Sequence, residues 1–157
     1  MNKSTIGRWL FSLNAVLVGG GGFLADLNGT HIYNPRWPPH AKFHDGQTMA
    51  VGLLLALASL FFAWRRVGDR PTNVLATTIF AGLLYVSQAA ANLFPGVAWT
   101  DPEFLKPGQS LTQVAPQLYA DLVMTALVLL AGWLSWPRTE ASARVANRVI
   151  SPAGVAR

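Results

Sequence analysis

Three histidines form the densest group of chemically versatile side chains in the sequence. His31, His40 and His44 are the only histidines of the chain, and they fall within fourteen residues of one another. On a helix that begins at Pro38, His40 and His44 are four residues apart and share one face. The first turns of a helix favour the neutral imidazole, because unpaired backbone N–H groups there carry partial positive charge. A neutral imidazole can accept a proton or bind a metal ion.

Carboxylates and amides elsewhere in the chain are predicted to lie at the same depth as the histidines. Asp121 falls about one turn inside the fourth apolar segment, where a carboxylate facing lipid is costly, so we expect it to point into the bundle. By contrast, Asp101 and Glu103 are expected to lie in a solvated loop. Further polar groups are expected to bind a substrate in the same pocket: Asp26, Asn34, Trp37, Asp45, Gln88 and Asn92.

Three interpretations of these residues are open. In the first, His40 and His44, supported by His31 and Asp121, transfer protons on an apolar, lipid-like small molecule in a reaction of the isomerase or cyclase type. In the second, the three histidines bind a divalent metal ion (zinc, iron or copper) in a non-catalytic module or accessory subunit, although their spacing matches no diagnostic metal signature. In the third, the histidines cap a helix at the membrane surface of a purely structural protein.

Four apolar segments must position these side chains. The 157 residues are 52% hydrophobic and 12% charged, whereas about 25% of an average soluble domain is charged. A helix needs about 20 apolar residues to cross the hydrocarbon core of a bilayer. The sequence therefore predicts an all-α integral membrane bundle of four transmembrane helices, with the second helix extending back to Pro38. The expected spans are residues 6–24, 46–64, 74–92 and 117–136, followed by a basic tail at 137–157.

The basic residues are distributed unequally between the two sides of this bundle. The predicted outer side carries Arg36, Lys42 and Lys106, and the predicted inner side carries Lys3, Arg8, Arg65, Arg66, Arg70, Arg138, Arg144, Arg148 and Arg157. By the positive-inside rule both termini are cytoplasmic, and a bacterial inner (plasma) membrane is the expected location. The net charge of +5 is thereby explained without a nucleic-acid partner.

The expected partners are the lipid bilayer, an apolar small molecule and, through the glycine run Gly19–Gly22, a second copy or another membrane protein. The chain contains no cysteine, which excludes disulfide and thiolate chemistry.

The run Thr30–His44 reads Thr-His-Ile-Tyr-Asn-Pro-Arg-Trp-Pro-Pro-His-Ala-Lys-Phe-His. It resembles a segment of small, uncharacterised four-helix membrane proteins of bacteria and fungi. The resemblance implies a family with this loop as its hallmark, and it carries over no established reaction. The four-span layout is also similar to DoxX-type membrane proteins, some of which are accessory subunits of oxidoreductases. This second likeness concerns the architecture alone and carries over no function.

Overall fold

The computed structural model describes residues 2–110 and 115–137. They form four long helices, α1 (Lys3–Asp26), α2 (Pro39–Trp64), α3 (Arg70–Ala91) and α4 (Pro116–Ser135), and a short 3-10 helix (Pro102–Phe104) before α4. All four long helices are long and apolar enough to cross a membrane. The prediction of an all-α chain with four such helices is confirmed. Of the predicted basic tail, all but Pro137 lies outside the described residues.

The helices form a square in which each is adjacent to the next, and α4 closes on α1. Across one diagonal α1 also approaches α3, whereas the described residues of α2 and α4 do not come within contact distance of each other. We call the end formed by residues 26–45, 92–110 and 115–116 the histidine end. The opposite end, formed by residues 2–8, 64–74 and 133–137, is the arginine end. The first and last described residues meet there, since the Lys3 ammonium lies 5.4 Å from the Trp133 ring centroid.

The helix boundaries follow from capping residues and prolines. Pro38 is the N-cap of α2, which confirms the predicted extension of this helix to within one residue. Asp69 caps α3 by accepting hydrogen bonds from the Thr72 N–H (2.9 Å) and hydroxyl (2.7 Å). These hydrogen bonds hold the pKa of the Asp69 carboxyl below its usual value. Proline in the first turn of α2, α3 and α4 loses no intrahelical hydrogen bond, because the first N–H groups of a helix have no intrahelical partner.

Glycines allow α1 and α2 to pack closely. Within the run Gly19–Gly22, an added Cβ at Gly19 would lie 3.0 Å from the Ala56 Cβ, and one at Gly22 would lie 3.2 Å from the Met49 Cγ. The two middle glycines have nothing within 4 Å. The predicted close approach of another helix is therefore made inside the bundle by two of the four glycines.

Replacing Gly52 with valine is expected to destabilise the bundle by about 1–3 kcal/mol. A Cβ at this position would lie 2.9 Å from the Val18 carbonyl oxygen, which belongs to the α1 backbone and cannot rotate away. Gly20→Val is the matched control, because nothing lies within 4 Å of its Cβ position. Thermal unfolding in detergent measures the stability of both variants. Equal melting temperatures would show that α1 and α2 do not cross at Gly52.

Candidate acid–base site

The connection from α1 to α2 folds back so that His31 lies beside the last residue of α1. The Ile32 N–H donates to the Asp26 carbonyl (3.2 Å), which closes the turn. His31 Nε2 is then 3.7 Å from Asp26 Oδ1, and His31 Nδ1 is 2.7 Å from Thr30 Oγ1. Both ring nitrogens of His31 thus have a polar neighbour.

The hydrogen bonds around Thr30 determine which protons His31 carries. The Thr30 N–H donates to Asn28 Oδ1 (2.8 Å), so this oxygen is an acceptor, and the Thr30 hydroxyl donates its one proton to the same oxygen (2.6 Å). Thr30 Oγ1 must therefore accept from the His31 Nδ1–H. His31 Nε2 and Asp26 Oδ1, at 3.7 Å, are beyond hydrogen-bond distance, and the two side chains form an ion pair when the imidazole carries a proton on both nitrogens.

A second carboxyl group, Asp45, approaches this pair from the second turn of α2. It lies within electrostatic range of both Asp26 and His31. Its Oδ2 atom is buried and has no hydrogen-bond partner, although most buried polar atoms are paired. The arrangement therefore places an open acceptor beside a pair that holds a transferable proton. Together these groups can donate a proton and remove one.

His40 and His44 form a separate pair on an exposed face of α2. Their Nε2 atoms are 3.0 Å apart, and His44 Nδ1 is 3.2 Å from Gln47 Oε1. In the neutral forms His44 Nδ1–H donates to Gln47 and His40 Nε2–H donates to His44, which leaves His40 Nδ1 free. Within residues 2–110 and 115–137, no hydrogen bond, ion pair or ring contact joins this pair to His31 or Asp121.

The predicted grouping of all three histidines is therefore not formed in the structure. Asp26 and Thr30 hold His31 in the connection, while His40 and His44 lie on the helix that follows. Among the described residues, no three His, Asp or Glu side chains are grouped so that they could bind one metal ion.

A contact between two connections covers the histidine end. The first connection runs from α1 to α2 (residues 27–38), and the second runs from α3 to α4 and is described at residues 92–110 and 115. Asn34 is 1% exposed, and its amide donates to Glu103 Oε1 (2.8 Å). The same carboxylate binds the Arg36 guanidinium at 2.6 Å, and Asn34 Oδ1 accepts from the Arg36 N–H (2.9 Å). We call these three residues the clamp. Glu103 belongs to an exposed segment, as expected, and its carboxylate additionally joins the two connections.

Trp37 extends this cover to His31. Its indole lies edge-on to the His31 ring, with the centroids 5.0 Å apart, and its Nε1–H donates to Asp101 Oδ2 (3.2 Å). Asp101 was also expected in a solvated loop and additionally contacts the first connection. The sequence did contain a signal for this contact. Asp101 and Glu103 flank Pro102 in the second connection, and the first connection contains Arg36 and the indole N–H donor of Trp37.

Asp121 lies inside the bundle, as expected, and is 4% exposed. Its neighbours differ from those predicted. The Tyr85 hydroxyl of α3 lies within electrostatic range of Asp121. This hydroxyl donates to Asn14 Oδ1 of α1 (3.0 Å), and the Asn14 amide donates to the Ala81 carbonyl (3.0 Å). The Asp121 Oδ2 atom itself is buried without a hydrogen-bond partner. Because α4 is diagonal to α2, the structure does not bring Asp121 to the His40–His44 pair.

Sequence analysis overlooked Asn14 and Tyr85. Asn14 is the polar member of a helical stripe with Phe11, Ala15 and Val18, all of which are buried. An amide at that spacing within an apolar span was the available signal.

Asn14→Ala is expected to destabilise the protein by about 1–2 kcal/mol, because it leaves the buried Tyr85 hydroxyl without an acceptor. A double-mutant cycle with Tyr85→Phe should give a coupling of about 1 kcal/mol in the free energy of unfolding. Asn92→Ala is the matched control, since the Asn92 amide donates only to Ala89 of its own helix (3.0 Å). A zero coupling would exclude the contact between α1 and α3.

Gln88 and Asn92, both predicted to bind substrate, lie near the end of α3. Gln88 is half-buried and Asn92 is exposed. Asn92 bonds to the end of its own helix, although it was expected to bond across helices. Neither side chain contacts any of the three histidines within the described chain.

Comparison with curated proteins and comparison with solved structures both found no match. A profile of a family of unknown function, DUF6640, matches residues 10–144. The matched region contains both connections of the histidine end and most of the four helices. The chain therefore belongs to the family of unknown function DUF6640.

Proposed function

We propose that the protein is an integral membrane enzyme that transfers protons on an apolar, lipid-like small molecule bound at the histidine end. The observation that carries this proposal is the buried, unpaired Oδ2 of Asp45 beside the Asp26–His31 pair. A hydroxyl or an acidic C–H of a bound molecule would supply the missing partner. The reaction class is that of an isomerase or cyclase.

The proposed chemistry has two steps. A doubly protonated His31, paired with Asp26, gives its Nε2 proton to one atom of the substrate, and Asp45 removes a proton from another atom. One proton enters and one leaves, so no oxidant or reductant is required. Trp37 and the clamp cover the site and limit access of water, which strengthens the electrostatic interactions inside it.

The geometry favours His31 over the His40–His44 pair as the imidazole that transfers the proton. His31 is half-buried and faces a carboxylate, whereas His40 and His44 are exposed and face each other. Asp121 is assigned to the interior of the bundle, where it is buried within electrostatic range of Tyr85.

We assign the arginine end to the cytoplasm and the histidine end to the outer face of a bacterial inner membrane. Five of the described basic residues support this orientation by the positive-inside rule: Lys3, Arg8, Arg65, Arg66 and Arg70. In this orientation both termini are cytoplasmic, and the substrate enters the site from the outer leaflet.

Asp45→Asn tests the proposal. Apolar molecules are extracted from the purified protein and compared by mass spectrometry. We expect a species retained by the unsubstituted protein to be lost from Asp45→Asn. Asp69→Asn is the matched control, because it makes the same change at the opposite end and asparagine is an equally good N-cap. Equal retention in all three proteins would reject Asp45 as the anchor of a bound molecule.

The second candidate function is a metal-binding accessory subunit, in keeping with the DoxX-like layout and the hallmark loop noted in the sequence. One distance favours it, the 3.0 Å between the Nε2 atoms of His40 and His44. Two imidazoles that bind one ion at about 2.0–2.1 Å each bring their nitrogens to about this separation. The remaining ligands would come from a partner subunit or a second copy.

Metal analysis of protein purified without an affinity tag tests this candidate. Bound metal that is lost in a His40→Gln/His44→Gln double variant and retained in His31→Gln would support it. Metal-free protein, or metal unaffected by the double variant, would exclude it.

A further inference from the structure

Four arginines surround a cavity of about 340 Å³ at the arginine end, remote from the proposed acid–base site. This volume lies within the range of small-molecule sites, about 300–1,000 Å³. The cavity is bounded by the start of α1, the connection between α2 and α3, and the end of α4. The arginines that line it are Arg8, Arg65, Arg66 and Arg70.

No carboxylate neutralises these arginines within residues 2–110 and 115–137, where the ion pairs are those of His31 and Arg36. The nearest acidic residue in sequence, Asp69, is engaged in capping α3. Four positive charges around one cavity repel each other, and an anion bound between them would relieve that repulsion.

Other contacts hold three of the arginines in place. The Arg8 guanidinium lies 5.9 Å from the Trp64 ring centroid, and that of Arg65 lies 5.4 Å from the Phe61 ring centroid. Arg70 donates a hydrogen bond to the Ser4 hydroxyl. These contacts restrain the arginine side chains and occupy few of their N–H donors, so the other donors remain available for a ligand.

Ser135 of α4 also lines the cavity, but its Oγ atom is not open to it. This atom is buried without a hydrogen-bond partner and lies in the space that a Cβ of Gly7 in α1 would take. Two other polar side chains of the lining are paired within the protein, since the Thr77 hydroxyl donates to the Asn73 carbonyl (2.8 Å) and the Asn73 amide donates to the Val67 carbonyl (3.1 Å). The side-chain donors available to a ligand in this cavity are therefore those of the four arginines.

We infer that this cavity binds a phosphate group, carried by an anionic lipid headgroup or by a soluble phosphate ester. Guanidinium groups bind phosphate oxygens through paired N–H donors. Basic pockets between transmembrane helices on the cytoplasmic side bind phospholipid headgroups. The orientation assigned under the proposed function places the cavity at that side, but the binding itself does not depend on the acid–base reaction.

Two probes distinguish the sources of the phosphate. Delipidated protein in detergent is titrated with phosphatidylglycerol or phosphatidylcholine and followed by native mass spectrometry. In parallel, inorganic phosphate is added and the melting temperature is recorded. Preferential retention of phosphatidylglycerol identifies a lipid headgroup. A rise in melting temperature with phosphate, without retention of phosphatidylglycerol, identifies a soluble phosphate ester.

Arg65→Gln/Arg66→Gln should weaken binding of the active probe by roughly fivefold for each arginine removed. Lys42→Gln/Lys106→Gln is the matched control, because it removes the same charge at the histidine end and should leave binding unchanged. Each variant must melt as the unsubstituted protein does in the absence of the probe. Equal binding of both probes to Arg65→Gln/Arg66→Gln and to the unsubstituted protein would overturn the inference.

Discussion

His31→Gln is expected to lower the rate of the proposed reaction by about 10²–10⁴-fold, the usual contribution of a positioned acid or base. Glutamine retains a group that can hydrogen-bond to Thr30, but its amide cannot carry a transferable proton next to Asp26. The rate is measured as conversion of the apolar molecule that co-purifies with the protein, in nanodiscs.

His44→Gln is the control for this experiment. It removes an imidazole from the same end of the molecule, but from the exposed pair that faces no carboxylate. We expect it to retain most of the rate. If His44→Gln lost the activity and His31→Gln retained it, the reaction would belong to the His40–His44 pair, as the sequence alone suggested.

Glu103→Ala is expected to release the first connection from the second and to cost about 1.5–3 kcal/mol, the contribution of a hydrogen bond to a charged group. The Asn34 amide, 1% exposed, would lose its acceptor in the second connection. Hydrogen exchange of the backbone amides at residues 31–37 should accelerate, and the rate of the proposed reaction should fall because Trp37 no longer covers His31.

Two further variants separate the contributions to the clamp. Glu103→Gln keeps an acceptor for Asn34 and should cost less than Glu103→Ala. Arg36→Gln removes the ion pair only, and since the Arg36 side chain is 68% exposed, the expected cost is about 0–1 kcal/mol. If Arg36→Gln were as harmful as Glu103→Ala, the exposed ion pair and not the buried amide would hold the two connections together.

The parts of the structure that depend on local patterns could be predicted from the sequence. The four helices follow from hydropathy, and the start of α2 follows from the prolines that precede it. The contact between His40 and His44 follows from their spacing of four residues, because such residues share a face of a helix.

The partners of His31 and Asp121 could not be predicted in the same way. Which carboxylate meets His31 depends on the turn at Asn28 and Thr30, whose hydrogen bonds orient the ring. Whether Asp121 meets α2 or the helices beside it depends on the order of helices around the bundle, and hydropathy carries no information on that order.

The contact between Asn34 and Glu103 joins residues that are 69 positions apart. The carboxylates of one connection and the arginine and indole of the other are complementary in type, but nothing in the sequence specifies which of them pair. The unpaired atoms of Asp45, Asp121 and Ser135 are also invisible in a sequence, because they are defined by what surrounds them in the folded chain.

Deuterium incorporation tests the proposed proton transfer most directly. The protein is reconstituted with a total lipid extract in D₂O, and the apolar fraction is followed by mass spectrometry. We expect one apolar species to gain deuterium with the unsubstituted protein and with His44→Gln, and not with His31→Gln or Asp45→Asn. Deuterium uptake that is the same with and without the protein, or that persists in both His31→Gln and Asp45→Asn, would contradict acid–base chemistry at the histidine end.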